Sequence, residues 1–416
     1  MVGTSRMRSV EEHLDDILAG VRELPVESVP LDAALGRVLA REVTATTAIP
    51  PFDNSAMDGY AVRAEDVRGA SDTAIVSLPV SADLPAGAAA DARLEPGTAA
   101  RIMTGAPVPP GADAIVPVEH TDGGTASVRV HREAPLGAHV RRAGTDLEAG
   151  ATVLPPGATL TSRAIAAAAS AGRATVEVHA RPRVAVISTG SELVPPGEPT
   201  RRGQIPDSNS FLLAAAVAEA GGAALRLGSV ADDVDALRAL LERAAREADA
   251  IVLSGGVSVG AYDVVKELLA PLGVRFGTVR MQPGKPQGFG HWLDGTPIFA
   301  LPGNPVSAAV SFEVFVRPAL RRLQGLPEVH RPRSTGTAEV GWRTPPGRQQ
   351  YIPVTIVRDA AGAARVRPAT AGGSGSHLVA SLALADGLAI VDAEVEEVCH
   401  GDVVEVLDWR DQPPTA

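Results

Sequence analysis

A single cysteine, Cys399, leaves no second thiol in 416 residues, which excludes an intrachain disulfide, a CxxC redox pair and a cysteine-built zinc site. Its expected role is that of a small packing residue. Aromatic side chains make up only 3% of the chain, and 38 basic against 49 acidic residues give a net charge of −11 without any block of one sign. A nucleic-acid binder would present a basic face and stacking rings, and neither is present. The nine histidines are scattered, and none pairs with another at the spacing that a metal-binding helix uses. The opening residues reach Glu11 and Glu12 without an apolar core, so no secretory signal is expected. The most apolar stretch, residues 164–172, is alanine-rich and far too short for a bilayer. A soluble cytoplasmic protein, with no membrane or nucleic-acid partner, is the expectation.

Apolar residues supply 45% of the chain, enough for several packed cores, and the length suggests roughly two to four domains. Ser9-Val10-Glu11-Glu12 reads as a capping box opening a helix. Val10, Leu14, Ile17, Leu18 and Val21 form its apolar face, and Pro25 closes it. A second amphipathic stretch covers Leu31–Leu39. Between Thr46 and Asp146 the pattern is of short strands broken by Pro and Gly, at Ala74–Val80, Thr98–Met103, Ala114–Val118 and Ser127–His131. One helix follows, capped by Thr161 or Ser162 and ended by Gly172.

From Arg183 the rhythm changes to alternating strands and helices. Strands are expected at Val184–Ile187, Ala224–Leu227, Ala250–Leu253 and Pro297–Leu301, and helices at Ser210–Ala220, Val234–Glu247, Asp263–Leu269 and Val306–Leu323. That alternation predicts a parallel sheet with right-handed crossovers. After Gly325 the short strands Tyr351–Val357, Ala364–Arg367, Leu388–Val391 and Val403–Leu407 suggest a small β-barrel or sandwich.

Ligands of open parallel sheets bind where strands hand over to loops. Here those handovers are Thr189-Gly190-Ser191-Glu192, Asp232-Asp233, Ser254-Gly255-Gly256 and Pro302-Gly303-Asn304-Pro305. Small residues let backbone N–H groups approach an anion, and nearby acids suit Mg²⁺ shared with a phosphate. The same residues also serve elsewhere as turn punctuation and helix caps. No P-loop or GxGxxG spacing is present. The residues alone therefore reach a Mg²⁺-assisted, phosphate-bearing ligand on an α/β domain.

Pro51-Phe52-Asp53-Asn54-Ser55-Ala56-Met57-Asp58-Gly59-Tyr60-Ala61 resembles the signature of the molybdopterin molybdenumtransferase family, the bacterial MoeA proteins and the gephyrin E-domain. Further matching motifs follow in that family's order: Arg101–Ala106, Ser188–Leu193, Ser254–Gly260, Pro283-Gly284-Lys285-Pro286, Leu301–Ser307, Gly347-Arg348 and Gly375-Ser376-His377. The resemblance implies an α/β plus β multidomain fold. Its molybdopterin-binding α/β domain would comprise residues 7–24 and 180–325. A linking and dimerisation domain would span 25–45 and 147–179, a β-rich inserted domain 46–146, and a C-terminal β-barrel 326–410. It further implies a homodimer whose site forms between subunits, converting adenylylated molybdopterin and molybdate to molybdenum cofactor and AMP with Mg²⁺.

By the same resemblance Asp58, Glu192, Asp232 and Asp263 would hold or orient Mg²⁺, with Thr104 supporting that site. Lys285, Arg348, Ser307 and Ser376 would form the molybdate pocket, and Gly255, Gly256, Pro302 and Pro305 the pterin-nucleotide floor. Arg348 also reads as a solvated loop cation, and Ser376 as linker serine. His291 and His377 receive no role. Gln282 stands where several relatives carry lysine, a loss expected to weaken oxyanion capture by about 1–3 kcal/mol. Ser191 replaces an acid often seen in that turn, removing an outer partner for the metal. Two other readings remain: an adenylyltransferase that activates molybdopterin with ATP, and a dimeric scaffold that binds a partner's peptide.

Overall fold

The computed structural model describes residues 7–87, 93–257, 263–370 and 378–410. Two compact units emerge: residues 1–40, 157–161 and 177–416 form the first, and residues 41–156 and 162–176 the second.

The first helix, α1 (Val10–Gly20), opens with the expected capping box. The Ser9 hydroxyl accepts from the Glu12 N–H, and the Glu12 carboxylate accepts from the Ser9 N–H. It stops at Gly20, short of Pro25, because Val21 is already extended. A side chain at Gly20 would strike the Phe289 ring at 2.7 Å. Leu31–Leu39 is not a helix. Only Leu31–Ala33 forms a 3-10 turn, and Val38 and Leu39 instead make β-bridges to Thr159 and Val178.

The second unit is built on β1 (Gly59–Val62), β2 (Val76–Leu84), β3 (Ala99–Ile102), β4 (Ala114–Pro117) and β5 (Ser127–Val130), in the order β4-β1-β3-β2-β5. Strand β1, buried along its length, lies inside the Asp-containing signature, where no strand was expected. Gly59 is required there: a Cβ would lie 2.0 Å from the Val116 carbonyl oxygen of β4. Helix α2 (Ser162–Ser170) follows as expected.

In the first unit the sheet comprises β6 (Arg183–Thr189), β7 (Ala223–Val230), β8 (Ala250–Ser254), β9 (Arg275–Thr278), β11 (Pro286–His291) and β12 (Pro297–Leu301), ordered β7-β6-β8-β12-β11-β9. Strands β7, β6, β8 and β12 run parallel, but β11 runs antiparallel to both of its neighbours, β12 and β9, so the sheet is mixed rather than wholly parallel. The sequence concealed those two strands because Gln287-Gly288-Phe289-Gly290 looks like a turn. The glycines are there for packing: a Cβ at Gly288 would meet the Phe276 ring at 2.7 Å, and one at Gly290 the Val274 Cα at 2.6 Å.

Side chains alternate across this sheet. Val184, Val186, Val252 and Phe299 face one core, shared with α1, α3 (Asn209–Glu219) and the helices after β12. Ala185, Ile187, Ile251 and Ile298 face another, covered by α4 (Val234–Glu247) and α5 (Val264–Leu269). Burial on both faces explains why these strands read as continuous apolar runs.

The expected single helix Val306–Leu323 is interrupted. It divides into α6 (Pro305–Ser311), a π-helical turn at Phe312–Val316 and α7 (Arg317–Leu323), with Pro318 at the start of α7. Proline lacks the N–H that a continuous α-helix would use, and the wider turn accommodates it.

Strands β13 (Ser334–Ala338), β14 (Gln349–Arg358), β15 (Ala364–Pro368), β16 (Gly387–Val391) and β17 (Val403–Asp408) close into a five-stranded barrel in the order β14-β15-β13-β17-β16, with β16 returning to β14. Ile352, Val354, Ala389 and Val391 fill its interior, while Tyr351, Leu388 and Ile390 point outward into the α/β core. The two-residue strand β10 (Met281–Gln282) pairs in parallel with Gln349 and Gln350 of β14. Cys399 is exposed rather than packed, in the turn where its N–H donates to Asp402. No helix among the described residues is long and apolar enough to cross a membrane.

Candidate functional site

After β6 the chain adds β7 on one side and β8 on the other, so the strand order reverses between β6 and β8. The C-terminal ends of these strands bound the crevice where open α/β sheets take ligands. Three loops meet there at Gly255, whose φ is +100°. A Cβ at Gly255 would lie 2.5 Å from the Thr189 carbonyl oxygen, and one at Gly303 only 3.4 Å from the Gly255 Cα. Gly256, at φ +65°, has the Val265 side chain 2.2 Å from where its Cβ would be. Glycine at both positions brings bare backbone to the crevice.

Two polar residues that sequence reasoning passed over brace this edge. Asp207, buried, accepts from the Ser188 hydroxyl at 2.9 Å and the Ser210 N–H at 3.1 Å. Asn209 Nδ2 donates to Ser254 Oγ and to the Gly303 carbonyl, both at 2.7 Å. Its buried Oδ1 has no hydrogen-bond partner among the described residues. The polar run Asp207-Ser208-Asn209 before an apolar helix was the available signal.

Of the expected acids, Asp232 Oδ2 accepts from the N–H and hydroxyl of Ser191, at 3.1 and 3.0 Å. Ser191, where an acid was expected by analogy, thus fixes a carboxylate instead of supplying one. Asp263 caps α5, accepting from the Lys266 N–H at 3.2 Å, with the Lys266 ammonium 3.8 Å from Oδ2. Burial pushes its pKa above the ordinary carboxylate value, the Lys266 contacts oppose this, and the charge of Asp232 adds to the rise. Glu192 is exposed in the β6 loop, with its carboxylate folded back over Gly190. Mg²⁺ takes one or two carboxylates together with water and substrate phosphate. Asp232 and Asp263, mutually repelling at a glycine-lined crevice, fit that requirement. Among the described residues no three His, Cys, Asp or Glu side chains gather into a metal-binding group.

The cationic residues lie where the α/β sheet meets the barrel. Pairing of β10 with β14 brings Gln282 beside the start of β14, and Arg348 Nη1 donates to Gln282 Oε1 at 2.8 Å. Arg348 is half-buried and anchored, not a freely solvated loop cation. The following turn is held by Gln287, whose Nε2 donates to the Gly284 carbonyl at 2.6 Å and to Ser311 Oγ at 2.7 Å. It presents Lys285 with an exposed side chain. Ser307 is buried in the first turn of α6, Pro302 is buried at the end of β12, and Pro305 is the first residue of α6. Ser376 lies outside the described residues, as does His377. His291 is structural: its Nε2 contacts the Gly20 carbonyl at 2.7 Å.

In the second unit, Asp58 immediately precedes β1. Its Oδ1 accepts from both the N–H of Thr104, at 2.7 Å, and the Thr104 hydroxyl, at 2.8 Å. The backbone donor first, and the hydroxyl second, hold its pKa below the usual value, so the carboxylate is fully ionised and solvent-facing at neutral pH. Asp53, by contrast, is committed to Arg142 and the Ala143 N–H.

Three family models match the chain in succession: the MoeA N-terminal region (domain I and II) over residues 8–172, a probable molybdopterin binding domain over 185–322, and the MoeA C-terminal region (domain IV) over 335–409. A curated Mycobacterium tuberculosis protein, molybdopterin molybdenumtransferase 2, is 48% identical over 97% of this chain and 100% of its own length. Molybdopterin molybdenumtransferase 1 of the same species is 38% identical over 96% and 98%. Among solved structures, a molybdopterin biosynthesis MoeA protein from Pyrococcus horikosii superposes with a TM-score of 0.82 at 33% identity, covering 97% of this chain and 99% of that one. On a mixed α/β sheet, a closed barrel and full-length similarity to its relatives, the chain belongs to the molybdopterin molybdenumtransferase family.

Proposed function

We propose that this chain inserts molybdenum into molybdopterin during molybdenum cofactor biosynthesis, taking adenylylated molybdopterin and molybdate and releasing AMP. The observation that carries the reading is that one compact unit holds both an acidic, glycine-lined crevice at β6 and β8 and a cationic group, the Gln282–Arg348 pair with Lys285. Both substrates are anions, so the protein's work is positioning and electrostatic stabilisation, without a covalent nucleophile.

The backbone at Gly255 and Gly256 would cradle the nucleotide-linked phosphates, flanked by Pro302 and Pro305, with Asn209 bracing the Ser254 and Gly303 loops. Lys285 and Arg348 would neutralise molybdate, with Gln282 holding Arg348 in place and Ser307 and Ser376 donating to the oxyanion. Asp232 and Asp263 would hold Mg²⁺, with Glu192 and, from the signature motif, Asp58 completing or orienting its shell. Bound Mg²⁺ supplies neutralisation of phosphate charge. We further take the protein as a cytoplasmic homodimer with its site shared between subunits and the segment 25–45 with 147–179 as the dimerisation module.

The test is reconstitution of the purified protein with adenylylated molybdopterin, molybdate and Mg²⁺, following AMP. Molybdate-dependent AMP release supports the reading. Formation of adenylylated product from ATP and bare molybdopterin would replace it with the adenylyltransferase reading. A stoichiometric protein partner without turnover would replace it with the scaffold reading.

A further inference from the structure

A second cavity, of about 460 Å³, opens on the helical flank of the α/β region and is lined by α3, the π-turn and the segment following β17. Its α3 wall begins at Leu212 and runs to Ala220, roughly 5–16 Å along the helix from Asn209 at the crevice. The walls are apolar: Leu212, Ala216, Phe312, Leu382 and Trp409. Glu313, Arg317 and Arg331 bring charge to one side, and Glu219, the last residue of α3, is the one charged group on the α3 wall.

Among Glu313, Arg317 and Arg331 the partners are unevenly shared. Arg331 takes Glu313, with Nε 2.7 Å from Oε1 and Nη2 3.3 Å from Oε2. Arg317 is left 3.9 Å from the same carboxylate, and its buried Nε and Nη1 have no hydrogen-bond partner among the described residues. The residue is 7% exposed. Burial pulls its pKa down to about 10, with Glu313 opposing, so it remains a cation at neutral pH. A buried guanidinium with unmet donors is costly unless an acceptor is supplied. The π-turn explains how it comes to be there: the widened helix that accommodates Pro318 carries Phe312, Glu313 and Arg317 to the same wall.

We infer that this cavity is a binding site for a small organic carboxylate with an apolar, aromatic-sized body, the carboxylate meeting Arg317 and the body lying between Phe312, Trp409 and the alanine face of α3. Arg favours carboxylate because its planar donors match that group, and the aromatic walls favour a flat apolar partner. The cavity volume falls in the range of small-molecule pockets, roughly 300–1,000 Å³. This site is separate from the crevice of the proposed reaction, and its occupancy does not depend on that reaction being correct.

The test is calorimetric titration of the full-length protein with phenylacetate and with its neutral isostere phenylacetamide. Saturable binding of phenylacetate at one site per chain, at least about tenfold tighter than the amide, is expected. Arg317→Met should weaken phenylacetate by about tenfold or more while AMP release in the reconstituted assay is unchanged. Ala216→Leu, which narrows the cavity from the opposite wall and leaves Arg317 in place, should abolish binding and decides the matter if Arg317→Met fails to fold. Equal affinity for acid and amide, binding unchanged in Ala216→Leu, or no binding of phenylacetate would overturn the inference.

Discussion

Arg348 and Gln282, 66 residues apart in sequence, are joined by a 2.8 Å hydrogen bond at the point where a two-residue strand of the α/β region pairs with the first residues of a barrel strand. The amide oxygen accepts from the guanidinium, a role that lysine at position 282 could not fill. The neutral residue therefore positions a cation rather than merely lacking one. Replacing Gln282 by Leu should raise the KM for molybdate about fivefold, corresponding to about 1 kcal/mol for a half-buried hydrogen bond, with kcat little changed. Gln282→Lys should do no better, because it sets a second cation against Arg348. A lower KM in Gln282→Lys would restore the simpler expectation that charge alone governs capture.

Asp58 offers a carboxylate whose pKa Thr104 holds down through its N–H and, secondarily, its hydroxyl. Asp58→Asn should reduce Mg²⁺-dependent AMP release by about 10²–10³-fold. Thr104→Val keeps the backbone donor and removes only the hydroxyl. Its acid limb of activity should move to higher pH, because a carboxylate with a lowered pKa stays ionised further into acid and loses that advantage when a donor is removed. The pH–rate profile of the two proteins, measured side by side, reads this directly.

Asp263 is shifted the opposite way, since burial raises its pKa. Ionisation there opposes folding: the contribution is favourable below the ordinary carboxylate pKa and is lost as pH rises through the raised value. Asparagine also caps helices, so Asp263→Asn should melt above wild type at pH 7, and the difference should shrink towards pH 3. Mg²⁺ should raise the melting temperature of wild type and not of the variant. Differential scanning calorimetry with and without Mg²⁺ separates these effects.

His13, buried against the edge of Phe315, has its pKa lowered to about 4, chiefly by burial. Its neutral form is favoured in the folded chain, so stability should fall as pH drops from about 6.5 towards 4, by about 3 kcal/mol at most. His13→Phe removes the titration. Urea denaturation at pH 7 and pH 4.5 should show a smaller pH-dependent loss in the variant than in wild type.

Gly255→Ala places a Cβ against the Thr189 carbonyl at a backbone conformation disfavoured for L side chains. A loss of about 1–3 kcal/mol in equilibrium unfolding is expected, together with weakened binding of the adenylylated substrate.

Local signals were legible wherever a residue acts on its own neighbours. The Ser9 capping box, Asp233 before Val234–Glu247, and strand Pro297–Leu301 appear in the structure as the sequence suggested. The mixed hand of the sheet was not legible, because Gly288 and Gly290 serve packing against Phe276 and Val274 from a distant segment. The break at Phe312–Val316 follows from Pro318, but the pattern of apolar residues runs through it without a pause. At the candidate site, the loops and acids could be found by their position after strands. The Arg348–Gln282 and Asp207–Ser188 bonds could not, since each depends on how separate elements come to lie side by side.

The short graft of Met281 and Gln282 onto the barrel has a consequence for anyone trimming this chain. Cutting before Ser334 would take away more than an appendage. It would strip the outward-facing Tyr351, Leu388 and Ile390 from a core they share with the sheet, and leave Gln282 with nothing to grip. The barrel thus holds one half of the Arg348–Gln282 pair, and under the proposed function a shortened protein should bind molybdate more weakly even where its remaining sheet stays folded.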